Sequence, residues 1–132
     1  MEIAARVSNS PGNHHVVVRT GSAECVLDIA AKASGGSATN GGELLMLALA
    51  TCYCNDLYRE ASRLGMKLEQ VDVEAAADFD GIGLAASNVR YRASVKTAHS
   101  ADAVARLLRE TDAVAEVHNT LRKGVPVQLL EQ

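Results

Sequence analysis

Residues 44–54, LLMLALATCYC, form an apolar run that contains no charged side chain. Leu, Met and Ala favour a helix over a strand, and the run is too short to span a membrane. A helix that is apolar on every side must be covered on every side. The two cysteines of the run, Cys52 and Cys54, are therefore expected where a protein can control the access of water to a thiol.

The residues on either side of this run set the ends of the helix. Asn40 with Glu43 three residues later fits a capping box, and Gly65 fits a left-handed C-terminal cap. The predicted helix spans residues 40–64, about 36 Å at 1.5 Å per residue. Since one sheet covers only one side of such a helix, we expect a homodimer that buries the long central helices between two sheets.

Three short strands are predicted before the central helix. They lie at residues 3–7, 16–20 and 25–29, where strand-forming residues are bounded by turn residues. Gly21 and Ser22 separate the second and third segments, which indicates a hairpin.

The chain after the central helix predicts two strands, two helices and a last strand. Residues 71–79 and 89–97 alternate between apolar and polar side chains, and their outer faces carry opposite charge, which suits antiparallel neighbours. Ser100 is expected to cap one helix, and Thr111-Asp112 a second. Residues 125–130 are predicted to form a closing edge strand, because they include a proline.

Length and composition favour one domain over residues 1–132. The order of the predicted elements, βββ-α-ββ-αα-β, places it in the α+β class. The net charge of −3 supplies no basic field for nucleic acid or an anionic membrane, so neither is expected as a partner. Residues 1–7 lack the pattern of a signal peptide, which favours the cytoplasm. Three cysteines are an odd number, which argues against a disulfide framework.

The central run and its flanks resemble the helix signature of the OsmC/Ohr family. The resemblance implies an OsmC-like fold, an intertwined homodimer and, for many members, reduction of organic hydroperoxides by thiol chemistry. The tail at residues 119–127 is also similar. The signature residues are Thr39, Asn40, Gly41, Gly42, Glu43, Leu44, Leu45, Ala48, Ala50, Thr51 and Cys52.

The resemblance places the reactive cysteine of the family at Cys52. In the family's chemistry the thiolate attacks a peroxide and becomes a sulfenic acid, which a second cysteine and a thiol reductant then reverse. This chain departs from that pattern, because the second cysteine would fall near Ala115 and no cysteine follows Cys54. The helix-start Glu of the family falls at Gly42, and its proline at Gly41.

Two functions therefore need other groups: a thiol that reduces the sulfenic acid, and a cation that lowers the pKa of Cys52. Cys54 cannot pair with Cys52, because residues two apart on a helix are separated by about 200° around its axis. Cys25, expected to face the core, and a small-molecule thiol remain as candidates. An apolar surround raises the pKa of a thiol, so Cys52 needs a cation. Arg19, on a strand before the helix, or a residue of the partner subunit could supply it.

The sequence leaves more than one function open. The first is an OsmC-like peroxidase with Cys52 and Arg19 as catalytic residues and with a hydroperoxide and a thiol reductant as its small-molecule partners. The second is a non-enzymatic member of the fold that binds a small apolar ligand or senses redox state, and a third is a structural domain. We predict no cofactor and no metal, because Cys52, Cys54 and His118 lack a fourth ligand and the usual spacing of a zinc site.

Overall fold

The computed structural model describes residues 1–131 as three helices and two antiparallel sheets, which confirms the α+β class. The chain divides into two compact units, the first comprising Met1–Leu44 and the second beginning at Leu45. That the whole chain acts as one domain stays a prediction.

The first unit is built around a three-stranded antiparallel sheet. Strands β1 (Ile3–Ser10), β2 (Asn13–Thr20) and β3 (Ala23–Leu27) pair in sequence order. The predicted hairpin turn is confirmed, and Gly21 adopts a φ of 57°, a left-handed conformation that glycine takes at no steric cost.

Strand β3 lies two residues earlier than predicted and is more exposed than the sequence suggests. It ends at Leu27, and all five of its residues are exposed, including Cys25. Alternation along a strand shows which residues share a face, but it does not show that the face is covered. The prediction that Cys25 faces the core is therefore wrong for this chain.

Helix α1 (Gly41–Arg63) has both predicted ends. The Asn40 side chain accepts a hydrogen bond from the Glu43 amide at 2.8 Å and donates one to the Glu43 carboxylate at 2.5 Å. At the other end Gly65 has a φ of 70°, and the Met66 amide donates to the carbonyl of Ala61 at 2.7 Å. These contacts satisfy backbone groups that the helix ends would otherwise leave unpaired.

In the second unit, β4 (Gln70–Asp78) pairs antiparallel with β5 (Ser87–Lys96). Glu74 lies directly opposite Arg92, and their side chains form an ion pair at 2.7 Å. The predicted pairing of acidic and basic faces is therefore confirmed.

Two late helices follow, α2 (Ala101–Val114) and α3 (Glu116–Lys123), and only α2 begins where capping predicts. Ser100 caps α2 as predicted, since its hydroxyl accepts from the Ala103 amide at 3.2 Å. Thr111 does not start the next helix. It is buried inside α2, and its hydroxyl donates to the carbonyl of Leu107 at 2.7 Å, so the helices break at Ala115 instead.

The predicted closing strand at residues 125–130 is wrong, because these residues form no strand and are exposed. An edge strand needs a neighbour with free backbone groups, and no strand within residues 1–131 pairs with this segment. The stop that precedes it is as predicted, since Gly124 ends α3 with a φ of 60°.

Helix α1 packs one face into the core of the second unit. Leu47, which lies outside this core, is 59% exposed. That a homodimer covers such residues stays a proposal. The fully packed members of the core are Tyr53, Leu57, Ala61, Leu107 and Ala115.

Candidate active site

The Cys52 thiol faces two carboxylates. Its Sγ lies 3.7 Å from Oδ2 of Asp56, one turn further along α1, and 3.8 Å from Oε2 of Glu116, the first residue of α3. Both distances suit a thiol donating a weak hydrogen bond. The sequence separates Cys52 and Glu116 by 64 residues, and the break at Ala115 brings them together.

Arg59 holds the other oxygen of each carboxylate. Its Nη1 lies 3.0 Å from Oδ1 of Asp56 and 3.3 Å from Oε1 of Glu116. The thiol and the guanidinium thus occupy opposite sides of the same carboxyl pair. We call Cys52, Asp56, Arg59 and Glu116 the thiol–carboxylate cluster.

The surroundings of Cys52 favour the protonated thiol. Burial is the main cause of its raised pKa, and the negative charges of Asp56 and Glu116 raise it further. The backbone N–H of Val117 acts in the opposite direction. A thiolate at this position therefore needs a nearby group that accepts the proton.

The two carboxyls of the cluster differ in acidity. Burial raises the pKa of Asp56, and the hydrogen-bonding contact with Glu116 raises it further. The pKa of Glu116 is lowered, first by its own backbone N–H and also by Arg59. Asp56 therefore keeps its proton to higher pH than Glu116 does.

Arg19 lies on β2 in the first unit, where its guanidinium pairs with the carboxylate of Glu2 and donates to the carbonyl of Gly21 at 2.5 Å. Its role as the activating cation stays a prediction. Sequence reasoning missed Arg59 as a cation of the cluster. The available signal was spacing along the helix. Asp56 lies one helical turn after Cys52, and Arg59 lies about one turn after Asp56.

The cluster is the one group among residues 1–131 whose side chains could share a metal ion. The ligand atoms of Cys52, Asp56 and Glu116 lie within 4.8 Å of one another. This set differs from the zinc set considered from the sequence, since it contains neither Cys54 nor His118. Arg59 already contacts both carboxylates with a positive charge, so we propose no metal here.

His118 is a buried residue of α3, the helix that also carries Glu116, and it lines an apolar groove. The residue is 3% exposed, and its ring packs edge-on against Tyr91 with centroids 4.4 Å apart. Neither ring nitrogen has a hydrogen-bond partner among the described residues. Burial lowers the pKa of His118, so the ring is neutral. The groove, about 210 Å³, is lined by Leu49, Val89, Tyr91, His118, Leu121 and Arg122.

Residues 34–130 match the family model described as OsmC-like protein. The chain belongs to this family. No curated protein sequence matches it. Among residues 1–131 of this OsmC-like chain, no helix combines the length and the apolar character that a membrane span requires.

Solved structures share the fold of this OsmC-like chain at low sequence identity. An organic hydroperoxide resistance protein from Elizabethkingia anophelis is 17% identical, with a TM-score of 0.64 over 92% of this chain and 89% of that one. An organic hydroperoxide resistance protein OsmC from Legionella pneumophila is 19% identical, with a TM-score of 0.61 over 92% and 90%. An OsmC-like protein of unknown function from Vibrio cholerae is 11% identical, with a TM-score of 0.61 over 91% and 93%.

Proposed function

We propose that this OsmC-like chain reduces organic hydroperoxides through Cys52, with a small-molecule thiol as the reductant. The observation that carries the proposal is the placement of Cys52. It occupies the reactive position of the family signature, it is half-buried, and its thiol faces two proton acceptors. The names of the Legionella and Elizabethkingia proteins support the substrate class.

The proposed reaction needs one cysteine. The Cys52 thiolate attacks the terminal oxygen of the hydroperoxide, so that an S–O bond forms while the O–O bond breaks. The sulfur is oxidised to a sulfenic acid, and the peroxide leaves as an alcohol after taking up a proton. One small thiol then releases water and forms a mixed disulfide, and a second restores Cys52 as a small-molecule disulfide leaves.

The groove beside α1 supports an apolar substituent on the peroxide. Leu49, which lines it, lies one turn before Cys52 on the same helix. A volume of about 210 Å³ suits a small aryl or branched alkyl group better than a long lipid chain.

We also propose that the working unit is a homodimer. Leu47 and Leu44 are exposed on the apolar half of α1, and a second copy would cover them. This assembly would let a residue of the partner subunit approach Cys52.

The direct test is turnover of cumene hydroperoxide and hydrogen peroxide with a panel of dithiol and monothiol reductants. We expect cumene hydroperoxide to be the better substrate, and Cys52→Ser to reduce turnover to the uncatalysed rate. Cys54→Ser is the matched control, because it removes a neighbouring thiol that the helix turns away from Cys52. Turnover that survives Cys52→Ser would refute the proposal.

The raised thiol pKa of Cys52 favours a second candidate, a protein of the same fold that senses redox state or binds a small apolar ligand. A protonated thiol reacts slowly with peroxides, whereas the groove could hold a ligand without any chemistry. This candidate predicts no turnover with any thiol and saturable binding of a small aromatic compound. Changes in the NMR chemical shifts of Tyr91 and His118 during a ligand titration would locate that binding.

A further inference from the structure

We propose that Glu116 accepts the proton of Cys52 and returns it to the departing alkoxide, while Arg59 and Asp56 hold the Glu116 carboxylate in place. This inference rests on the proposed reduction of hydroperoxides. It assigns to Glu116 a catalytic role that the family resemblance places elsewhere, since the helix-start Glu of the family falls at Gly42.

The geometry distinguishes Glu116 from its neighbour. Both carboxylates lie within 3.8 Å of the thiol, but the Glu116 side chain is 66% exposed whereas that of Asp56 is 7% exposed. A substrate that enters from solvent can therefore meet Glu116 and Cys52 together. Asp56 is enclosed, and with Arg59 it fixes the position of the Glu116 carboxylate.

The proton balance of the step requires such a group. When the thiolate attacks, the O–O electron pair moves to the distal oxygen, which leaves as an alkoxide that is far more basic than a carboxylate. The proton that Glu116 took from Cys52 passes to this oxygen, and an alcohol leaves. No proton is gained or lost overall, and the sulfur supplies the two electrons that reduce the peroxide.

Glu116 has two opposing effects on Cys52, and the opposition can be measured. Its negative charge raises the pKa of the thiol, together with burial and the charge of Asp56. The groups that face Cys52 are Asp56 from α1 and Glu116 and the Val117 amide from α3, with Arg59 behind the carboxylates. Removing the Glu116 charge should give more thiolate at neutral pH, yet leave the alkoxide without its proton donor.

The test measures the second-order rate constants of two reactions of Cys52 and compares wild type with Glu116→Gln. Both proteins are tested as the full chain, with and without Cys25→Ser and Cys54→Ser, which leave Cys52 as the one thiol. Alkylation by iodoacetamide reports the thiolate alone, because iodide leaves without a proton. Oxidation by cumene hydroperoxide also needs the proton donor. We expect Glu116→Gln to alkylate faster at neutral pH, with its pH profile shifted to lower pH, and to be oxidised about 10²-fold more slowly.

Two further variants make the result specific. Glu74→Gln removes an exposed, ion-paired carboxylate of β4 and should change neither rate. Glu116→Asp keeps the carboxylate on a shorter side chain and should recover part of the oxidation rate. Because Glu116 is exposed, we expect these substitutions to leave the fold intact.

The outcomes separate this inference from the function on which it rests. If both rates rise in Glu116→Gln, the carboxylate only repels the thiolate and the inference is overturned. If neither rate changes, water serves as the acceptor and the inference is also overturned. If wild-type Cys52 is alkylated by iodoacetamide but is not oxidised by hydroperoxide, the proposed function itself is refuted. The inference that Glu116 returns a proton to the alkoxide is then refuted as well.

Discussion

The two halves of helix α1 reverse the usual relation between polarity and burial. The first half, residues 41–50, is largely apolar, yet Leu47 is 59% exposed. The second half, residues 51–63, contains Asp56 and Glu60, which are only 5% and 7% exposed. Charged residues are rarely buried unless they are paired. The second half therefore buries paired charges, whereas the first half leaves Leu47 exposed although it also buries Leu49.

Arginines make the buried charges of the second half tolerable. Glu60 pairs with Arg63 at 2.5 Å, and Arg63 also pairs with Glu110 of α2. Asp56 pairs with Arg59 at 3.0 Å. Arg59 and Arg63 reach the solvent while Asp56 and Glu60 stay enclosed, and Asp56 thereby holds a fixed position beside Cys52.

The largest expected effect separates the two halves by their contribution to folding. Leu57 is fully buried, so Leu57→Ala should lower the free energy of unfolding by about 2–5 kcal/mol. Leu47→Ala, the matched change in the exposed half, should cost less than about 1 kcal/mol in dilute protein. Urea denaturation at low concentration measures both. Equal losses would show that the comparison of the two halves is wrong.

The second effect concerns association. Leu47→Asp should weaken the proposed homodimer by at least about tenfold, because covering one leucine contributes about 1.5–3 kcal/mol. Sedimentation equilibrium of wild type and variant measures the dissociation constant. Arg92→Glu, a charge change on the sheet, is a control that should affect the dimer less if α1 forms the contact. A wild type that is monomeric at high concentration would contradict the proposal.

A smaller effect tests the tyrosines of the second half. The Tyr53 hydroxyl donates to the carbonyl of Leu108 at 2.7 Å, and burial is the main cause that raises its pKa to about 12. Tyr53→Phe should cost about 0.5–1.5 kcal/mol of stability. Tyr58→Phe changes an exposed tyrosine on the same helix and should have no measurable effect. Equal costs in the two variants would argue against the assigned hydrogen bond.

The smallest effect is the pH dependence from His118, whose ring packs near Tyr53. Its pKa is lowered in the folded chain, mainly by burial and also by Arg122. The unfolded chain therefore binds more protons below about pH 6.5, and stability should fall as the pH is lowered through that value. His118→Phe should flatten this part of the profile, measured by denaturation at a series of pH values. An unchanged slope would assign the dependence to another group.

The features that the sequence predicted well are local. Asn40 and Glu43 cap a helix through residues three apart, and Gly65 and Gly21 are needed for left-handed backbone. Glu74 and Arg92 could be paired because alternation fixes the face of each strand. Each of these depends on short-range geometry that one sequence contains.

The features that it missed depend on distant neighbours. A threonine can cap a helix or bond back within one, and only the burial of Thr111 decides between them. Residues 125–130 have the pattern of a strand but no partner strand among the described residues. The approach of Glu116 to Cys52 depends on how α3 packs against α1, which spacing along the chain does not encode.

The reaction of Cys52 can be observed directly by mass spectrometry of the reduced protein after brief exposure to stoichiometric cumene hydroperoxide with a sulfenic-acid trap. We expect one trapped adduct, mapped to Cys52, which is lost in Cys52→Ser and kept in Cys54→Ser. Without the trap, a mixed disulfide with an added small thiol should appear at the same residue. An unmodified Cys52, or a trap carried by Cys25 or Cys54 instead, would contradict the proposal that this OsmC-like chain reduces hydroperoxides through Cys52.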